Sequence, residues 1–231
     1  MSVETESKTV EILGLRERKK RRTREAIAEA AVGLFLRDGF DQVSVSHVAA
    51  AADVSKVTVF NYFPAKEDLV LSRVLHRSDL AAEVVRQRPS GHSPLQALER
   101  DYLRRLTARE PSTGVCADEY VMAIQRMILA TPSLTLRLTH HMLASEASLA
   151  EALTDEMGET LNGVVARVAA AQFLATERAL ANRNLKRLLA GVDPDQLYRD
   201  AILEAEVCYG VIARGIESTG CRWVVPVERH G

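Results

Sequence analysis

Apolar residues in this chain recur mostly at spacings of three and four, the period of a helix face. Strand-like alternation is nearly absent. Trp223-Val224-Val225 is a short apolar β-branched stretch near the end, and Pro226 closes it. The pattern predicts a first helix over about Arg16–Arg37, with Ile27, Ala31, Leu34 and Phe35 on one face. Asp38-Gly39 stops it, because glycine accepts the left-handed conformation of a helix C-cap.

Two short segments follow, Ser44–Ala52 and Lys56–Tyr62, and Pro64 then interrupts. A helix is expected from about Ala65 to Arg86. Arg88-Pro-Ser-Gly-His-Ser-Pro94 is rich in breakers. Beyond it, helical patterns cover about 95–109, 117–130, 133–157, 163–190 and 194–217. They are separated by Pro111-Ser-Thr-Gly114, Pro132, Gly158 and Gly191-Val-Asp-Pro194. The expected fold class is all-α, with a small N-terminal helical domain followed by a larger one.

The segment SVSHVAAAADVSKVTVFNYFPAK, residues 44–66, carries the clearest local design. Ser44 is placed to cap a short helix, and Val48, Ala49 and Ala52 give that helix a small apolar face. Asp53-Val54-Ser55 makes a turn, with Val54 directed inward and Ser55 as the next N-cap. A second short helix then presents Lys56, Thr58 and Asn61. This is the logic of a helix-turn-helix, whose second helix enters the major groove of DNA.

Charge distribution sharpens the picture where net charge does not. The chain as a whole carries −1, but residues 16–78 carry +4 and the remaining 153 residues after them carry −3. Arg16, Arg18, Lys19, Lys20, Arg21, Arg22 and Arg24 are opposed locally by Glu17 alone. Such a run is often a solvated helix end; directly ahead of a helix-turn-helix it is suited to neutralise phosphates.

The span from about Arg21 to Leu71 resembles the DNA-binding domain of the TetR family. The similarity lies in TREAIAEAAVGLFLRDGF, in the Val54-Ser55-Lys56 turn, and in Phe60-Asn61-Tyr62-Phe63 ahead of Pro64-Ala65-Lys66-Glu67. The resemblance implies base or groove contacts from Lys56, Val57, Thr58, Phe60 and Asn61, and phosphate contacts from Ser44, Thr58, Tyr62 and Lys66. It implies that Val59 and Phe63 are core. The sequence departs from the family pattern at Asp53, where the family usually has glycine; aspartate tolerates the left-handed conformation better than most residues. Ser46 and His47 stand where the family often has an arginine and an acid, and Phe60 replaces a common tyrosine, removing one hydroxyl.

In the C-terminal half, the resemblance implies an orthogonal helical domain whose last two helices pair with a second subunit. Leu197, Ala201, Ala205, Tyr209 or Cys208, Ile212 and Ile216 form a stripe on the last helix. The helix before it offers the mostly small set Val165, Val168, Ala169, Gln172, Ala175, Ala179 and Ala181. Periodicity alone serves a stripe buried within one subunit equally well, and the need to span two half-sites favours a homodimer. Tyr120, Met122, Met127, Met142 and Phe173 are candidate lining for an effector pocket, although each also suits an ordinary core. The segment from Met127 to Leu134 resembles members whose C-terminal domains bind acyl-CoA-like ligands, which implies an elongated apolar effector.

Other chemistry is poorly represented. No phosphate loop, nucleophile elbow, HExxH or dinucleotide turn occurs, so an enzyme is not expected. Cys116, Cys208 and Cys221 are widely spaced, as free thiols in a reducing cytosol would be. His140 and His141, as neighbours on a helix, diverge by roughly 100° and do not converge on a metal. Neither a cofactor nor a metal is expected, and no apolar run is long enough to cross a bilayer. The expectation is therefore a cytoplasmic homodimeric regulator on a palindromic double-stranded DNA operator, a repressor released by a small apolar effector. Its parts would be a flexible lead-in (1–15), a DNA-binding domain (16–65), an effector and dimerisation domain (66–218) and a tail (219–231). An activator of the same fold is the alternative, and a protein-interaction adaptor a more distant one.

Overall fold

Between Ser2 and Val32 there is no proline and one glycine, Gly14, and a single helix, α1, runs over Ser2–Asp38. The computed structural model describes residues 2–74, 80–157 and 163–217. The stretch expected as a flexible lead-in is thus helical from Ser2, since nothing upstream of Arg16 breaks a helix. At the other end Gly39 takes φ +90° and donates its N–H to the Phe35 carbonyl at 3.0 Å, ending α1 where the sequence reading placed the stop. No strand occurs among the described residues. None of their helices is long and apolar enough to cross a membrane.

The chain forms two compact units, residues 1–74 with 123–137, and residues 75–122 with 138–231. The first differs from the expected 16–65 domain because a stretch from mid-chain joins it. It contains α1, α2 (Val45–Ala51), α3 (Lys56–Tyr62) and α4 (Lys66–Leu71), together with the end of α7 (Glu119–Ala130) and the start of α8 (Pro132–Met157). Helix α1 packs on α2 and α4, and α2 packs on α3. Ile27, Ala28, Ala31, Val32 and Phe35 supply the buried face of α1, and Val48, Ala49, Val59, Phe63, Leu69 and Val70 are buried with them.

The second unit is built on α5 (Leu80–Arg86), α6 (Pro94–Thr107), a 3-10 turn at Pro111–Thr113, α9 (Val164–Leu189) and α10 (Pro194–Glu217). The helix expected across 65–86 is described as α4 and α5, with residues 75–79 between them outside the described set. Helix α6 opens on a reciprocal cap. The Ser93 N–H donates to Gln96 Oε1 and the Gln96 N–H donates to Ser93 Oγ, each at 3.1 Å, with Pro94 at the first helical position. Inside this unit Arg105 is buried. It donates from Nε to Asp101 Oδ2 at 2.8 Å and from Nη2 to Glu177 Oε1 at 2.6 Å. The Tyr209 hydroxyl also donates to Glu177 Oε1, at 3.1 Å. Burial pushes the Glu177 carboxyl above its ordinary range, against the pull of the Arg105 guanidinium.

Helix α10 corrects the expected interface. Leu197, Ala201, Ala205, Tyr209 and Ile212 are at most 2% exposed and belong to the unit's own core, not to a free face. The side chain of Ile216 lies outside the described residues, as do Cys221, Trp223-Val224-Val225 and the rest of the 219–231 tail. A different stripe is free: Leu203, Val207 and Val211 are 62%, 66% and 52% exposed. Val164 and Val168 on α9 are exposed as well. Of the α9 residues expected at the interface, Ala169 is instead buried in the core. An i, i+4 stripe fixes a helix face, but when a helix carries two such faces only packing selects the one buried within the subunit.

Gly114 is held in the left-handed region at φ +74°, and a Cβ there would lie 2.2 Å from the backbone carbonyl oxygen of Ala181. The adjacent Thr113 carbonyl accepts a 3.0 Å bond from buried Asn184 Nδ2, so the turn has little room to retreat from α9. Gly114→Ala is expected to destabilise the fold by ~3 kcal/mol or more, from backbone strain and overpacking together. The shift in urea unfolding midpoint measures this; an unchanged midpoint would refute the close approach.

Candidate nucleic-acid interface

Two serines set the ends of the short helices. Ser44 Oγ accepts the His47 N–H at 3.2 Å, and Ser55 Oγ accepts the Thr58 N–H at 3.0 Å, so both act as N-caps as the sequence reading expected. Asp53 occupies the left-handed region at φ +51° and closes the turn between α2 and α3 in place of a glycine. Val54 is half-buried beside it.

Helix α3 then divides cleanly. Val59 and Phe63 are each 1% exposed, in the core as expected. Lys56, Val57, Phe60 and Asn61 all face solvent, with Val57 69% and Phe60 42% exposed. Positions i, i+1, i+4 and i+5 share one side of a helix, so these four make a continuous surface. It combines an ammonium, an amide able to donate and accept, and two apolar groups that could meet a thymine methyl. The Lys56 ammonium stands 6.0 Å from the Phe60 ring centroid, at the outer limit of a cation–π contact. Thr58 is half-buried, and its hydroxyl shares a 2.8 Å hydrogen bond with Ser55 Oγ. Tyr62 is half-buried, whereas Ser44, Ser46 and His47 are exposed at the α2 end.

Lys66, expected to meet a phosphate, has its ammonium engaged within the protein. Its Nζ donates to the Phe40 carbonyl at 2.5 Å and lies 4.3 Å from the Phe40 ring centroid and 5.5 Å from that of Phe35. The ammonium therefore ties the start of α4 to the turn that ends α1. A half-buried cation gains from a carbonyl and two aromatic faces what it loses in hydration.

Asp68, on the first turn of α4, escaped the sequence reading. Its carboxylate is buried, accepting the Ala65 N–H at 3.1 Å and Arg137 from Nε and Nη2 at 2.8 Å each. This fork-to-fork pair joins α4 to the first turns of α8 within the first unit. An acid three residues past a helix start is a legible capping signal; the partner at position 137 has no local signal.

The five expected pocket residues are distributed over both units. Met127 belongs to the first unit, whereas Tyr120, Met122, Met142 and Phe173 belong to the second. Phe173 and Met122 are buried, Met142 is half-buried and Tyr120 is exposed. The Phe173 ring packs against Tyr209 at 5.4 Å, and Tyr209 against Tyr102 at 5.8 Å. Cys116 and Cys208 are free thiols, both half-buried.

Known regulatory proteins resemble this chain. Residues 27–72 match the family model for bacterial regulatory proteins of the tetR family. The chain is 29% identical over 150 residues to the HTH-type transcriptional regulator TcmR of Streptomyces glaucescens, covering 64% of this chain and 66% of that protein. It is 27% identical over 144 residues to the HTH-type transcriptional repressor KstR of Rhodococcus jostii (strain RHA1), covering 62% and 58%. In each case the match spans less than two thirds of the relative's length. A TetR-family regulator from Streptomyces coelicolor A3 shares the fold, with a TM-score of 0.52 and 24% identity over 83% of this chain and 95% of that one. All three of these proteins are regulators.

Lys66→Met, which keeps the stem and removes the charge, is expected to destabilise the DNA-free protein by ~2 kcal/mol. Thermal melting without DNA reads this directly. A melting curve identical to that of the parent protein would return Lys66 to a pure phosphate role.

Proposed function

We propose that the chain is a transcription regulator of the TetR family, which works as a homodimeric repressor on a palindromic operator and leaves it when an apolar effector binds. The observation that carries the DNA reading is the outer side of α3, where Val57 and Phe60 stand in solvent beside Lys56 and Asn61. Exposed aromatic and branched side chains on a fixed helix are costly unless a partner covers them, and their neighbours here carry the donors and acceptors of base readout. In this reading Lys56, Val57, Phe60 and Asn61 face the major groove. Ser44, Thr58 and Tyr62 meet the flanking phosphates, and Lys66 holds α4 in place.

The dimer is supported by the free stripe Leu203, Val207 and Val211 with Val164 and Val168, on two helices that already pack on each other. A second copy laying the same face against it gives a closed two-fold pair of α9 and α10 hairpins. Selection from random duplexes with the purified protein is expected to recover a palindrome, bound by two subunits as counted by sedimentation. Recovery of a non-repeating site bound by one subunit would overturn the dimeric reading; no enrichment in dilute salt would overturn the DNA reading itself.

For release, the Asp68–Arg137 pair supports a route. The same helix that supplies Arg137 to the first unit supplies Leu149 and Leu153 to the core of the second. A ligand that alters α8 thereby acts on the start of α4. Because coupling is reciprocal, an inducer must weaken operator affinity by the factor by which the operator weakens it. Elongated acyl compounds that raise the melting temperature are expected to lower operator affinity at fixed salt. In Arg137→Met the same compounds should still raise the melting temperature yet change operator affinity less. Equal responses in both proteins would exclude this route.

A further inference from the structure

Seven residues are too few for a helix to hold its own shape in water, so both ends of α3 need outside support. The N-terminal end has Ser55. At the C-terminal end the backbone leaves the helix through Phe63 at φ −139°, with Pro64 next, and no glycine is available for a left-handed cap. The last helical carbonyls there would ordinarily be left to water. One of them is not. Arg24, on α1, donates from Nη1 to the Tyr62 carbonyl at 3.0 Å, across 38 positions of sequence. Its guanidinium carbon also lies 4.6 Å from the centroid of the Phe63 ring, which is itself fixed in the core.

The geometry points to Arg24 as a positioning residue for operator discrimination: a peg on α1 that caps the C-terminal end of α3 and fixes how far the helix projects into the groove. This rests on the DNA-binding reading above. Three features favour it over a phosphate ligand. Arg24 is the last member of the basic run, one turn before the buried Ile27 and Ala28 anchor α1. Its charge sits at the negative end of the α3 dipole, where a cation is stabilised. And a guanidinium can donate along its plane while covering a ring with its face, which an ammonium cannot do. The groups it steadies are those facing out: Asn61 immediately precedes the capped carbonyl's residue, and Phe60 precedes Asn61. Base-edge hydrogen bonds fail over displacements of a few tenths of an ångström, whereas binding to the polyanion tolerates them.

The test uses the whole chain and the duplex recovered by selection, against a scrambled duplex of equal length and over a range of salt. Arg24→Lys keeps the charge and removes the fork. It is expected to lose about tenfold in affinity for the operator, with scrambled-duplex affinity and salt slope unchanged. Arg24→Gln should show the same loss of discrimination, and thermal melting of both variants checks that they remain folded. If Arg24→Lys discriminates as well as the parent protein, the peg is refuted. If Arg24→Gln weakens both duplexes equally and flattens the salt slope by about one unit, Arg24 is a phosphate ligand and the inference is overturned. Failure of the parent protein itself to discriminate would sink the DNA-binding reading instead, so the two failures are distinct.

Discussion

Helix α3 must keep its outward face unencumbered, and it is too short to do so alone. Everything around it supplies what its own length cannot. Val59 and Phe63 anchor its back in the core, Ser55 caps its start, and Arg24 takes its last carbonyl. Behind these stands the buried face of α1, from Ile27 to Phe35, against which α2 and α4 pack. The side chains left over, Lys56, Val57, Phe60 and Asn61, are free because every structural duty of the helix has been assigned to other positions.

The basic residues of the first unit show how far charge density can mislead. Arg24 and Lys66 both belong to a positively charged front, and both are directed to backbone carbonyls and aromatic faces of the protein itself. Arg137 is spent on the buried carboxylate of Asp68. A carbonyl at the end of a helix or turn is a fixed partial negative charge that needs no counterion displaced to reach it. A long cationic side chain within range takes it before any nucleic acid arrives.

In the second unit the governing tension is between burial and charge. Arg105 and Glu177 are withdrawn from water, at a cost that only close pairing offsets. Asp101 and the Tyr209 hydroxyl complete the set. Burial raises the Tyr209 pKa, and the neighbouring Glu177 carboxylate raises it further, so the phenol stays a donor. The rings of Phe173, Tyr209 and Tyr102 pack in series beside this pair.

The division of α3 into buried Val59 and Phe63 and exposed Lys56, Val57, Phe60 and Asn61 came through the family resemblance; the sequence by itself determined the all-helical class, the stops at Gly39 and Pro64, and the serine caps at 44 and 55. Each of these is a local matter of backbone conformation, capping within three residues, or a period of 3.6, and local terms are written in consecutive letters. Tertiary structure alone decided which of the two apolar stripes on α10 is covered within the chain. It sent Arg24 to Tyr62 and Lys66 to Phe40, and it joined Asp68 to Arg137. It also assigned Met127 to the first unit and Tyr120, Met122, Met142 and Phe173 to the second. Partners brought together over tens of residues are chosen by packing and by the relative cost of desolvating each candidate, and neither quantity exists until the chain has folded.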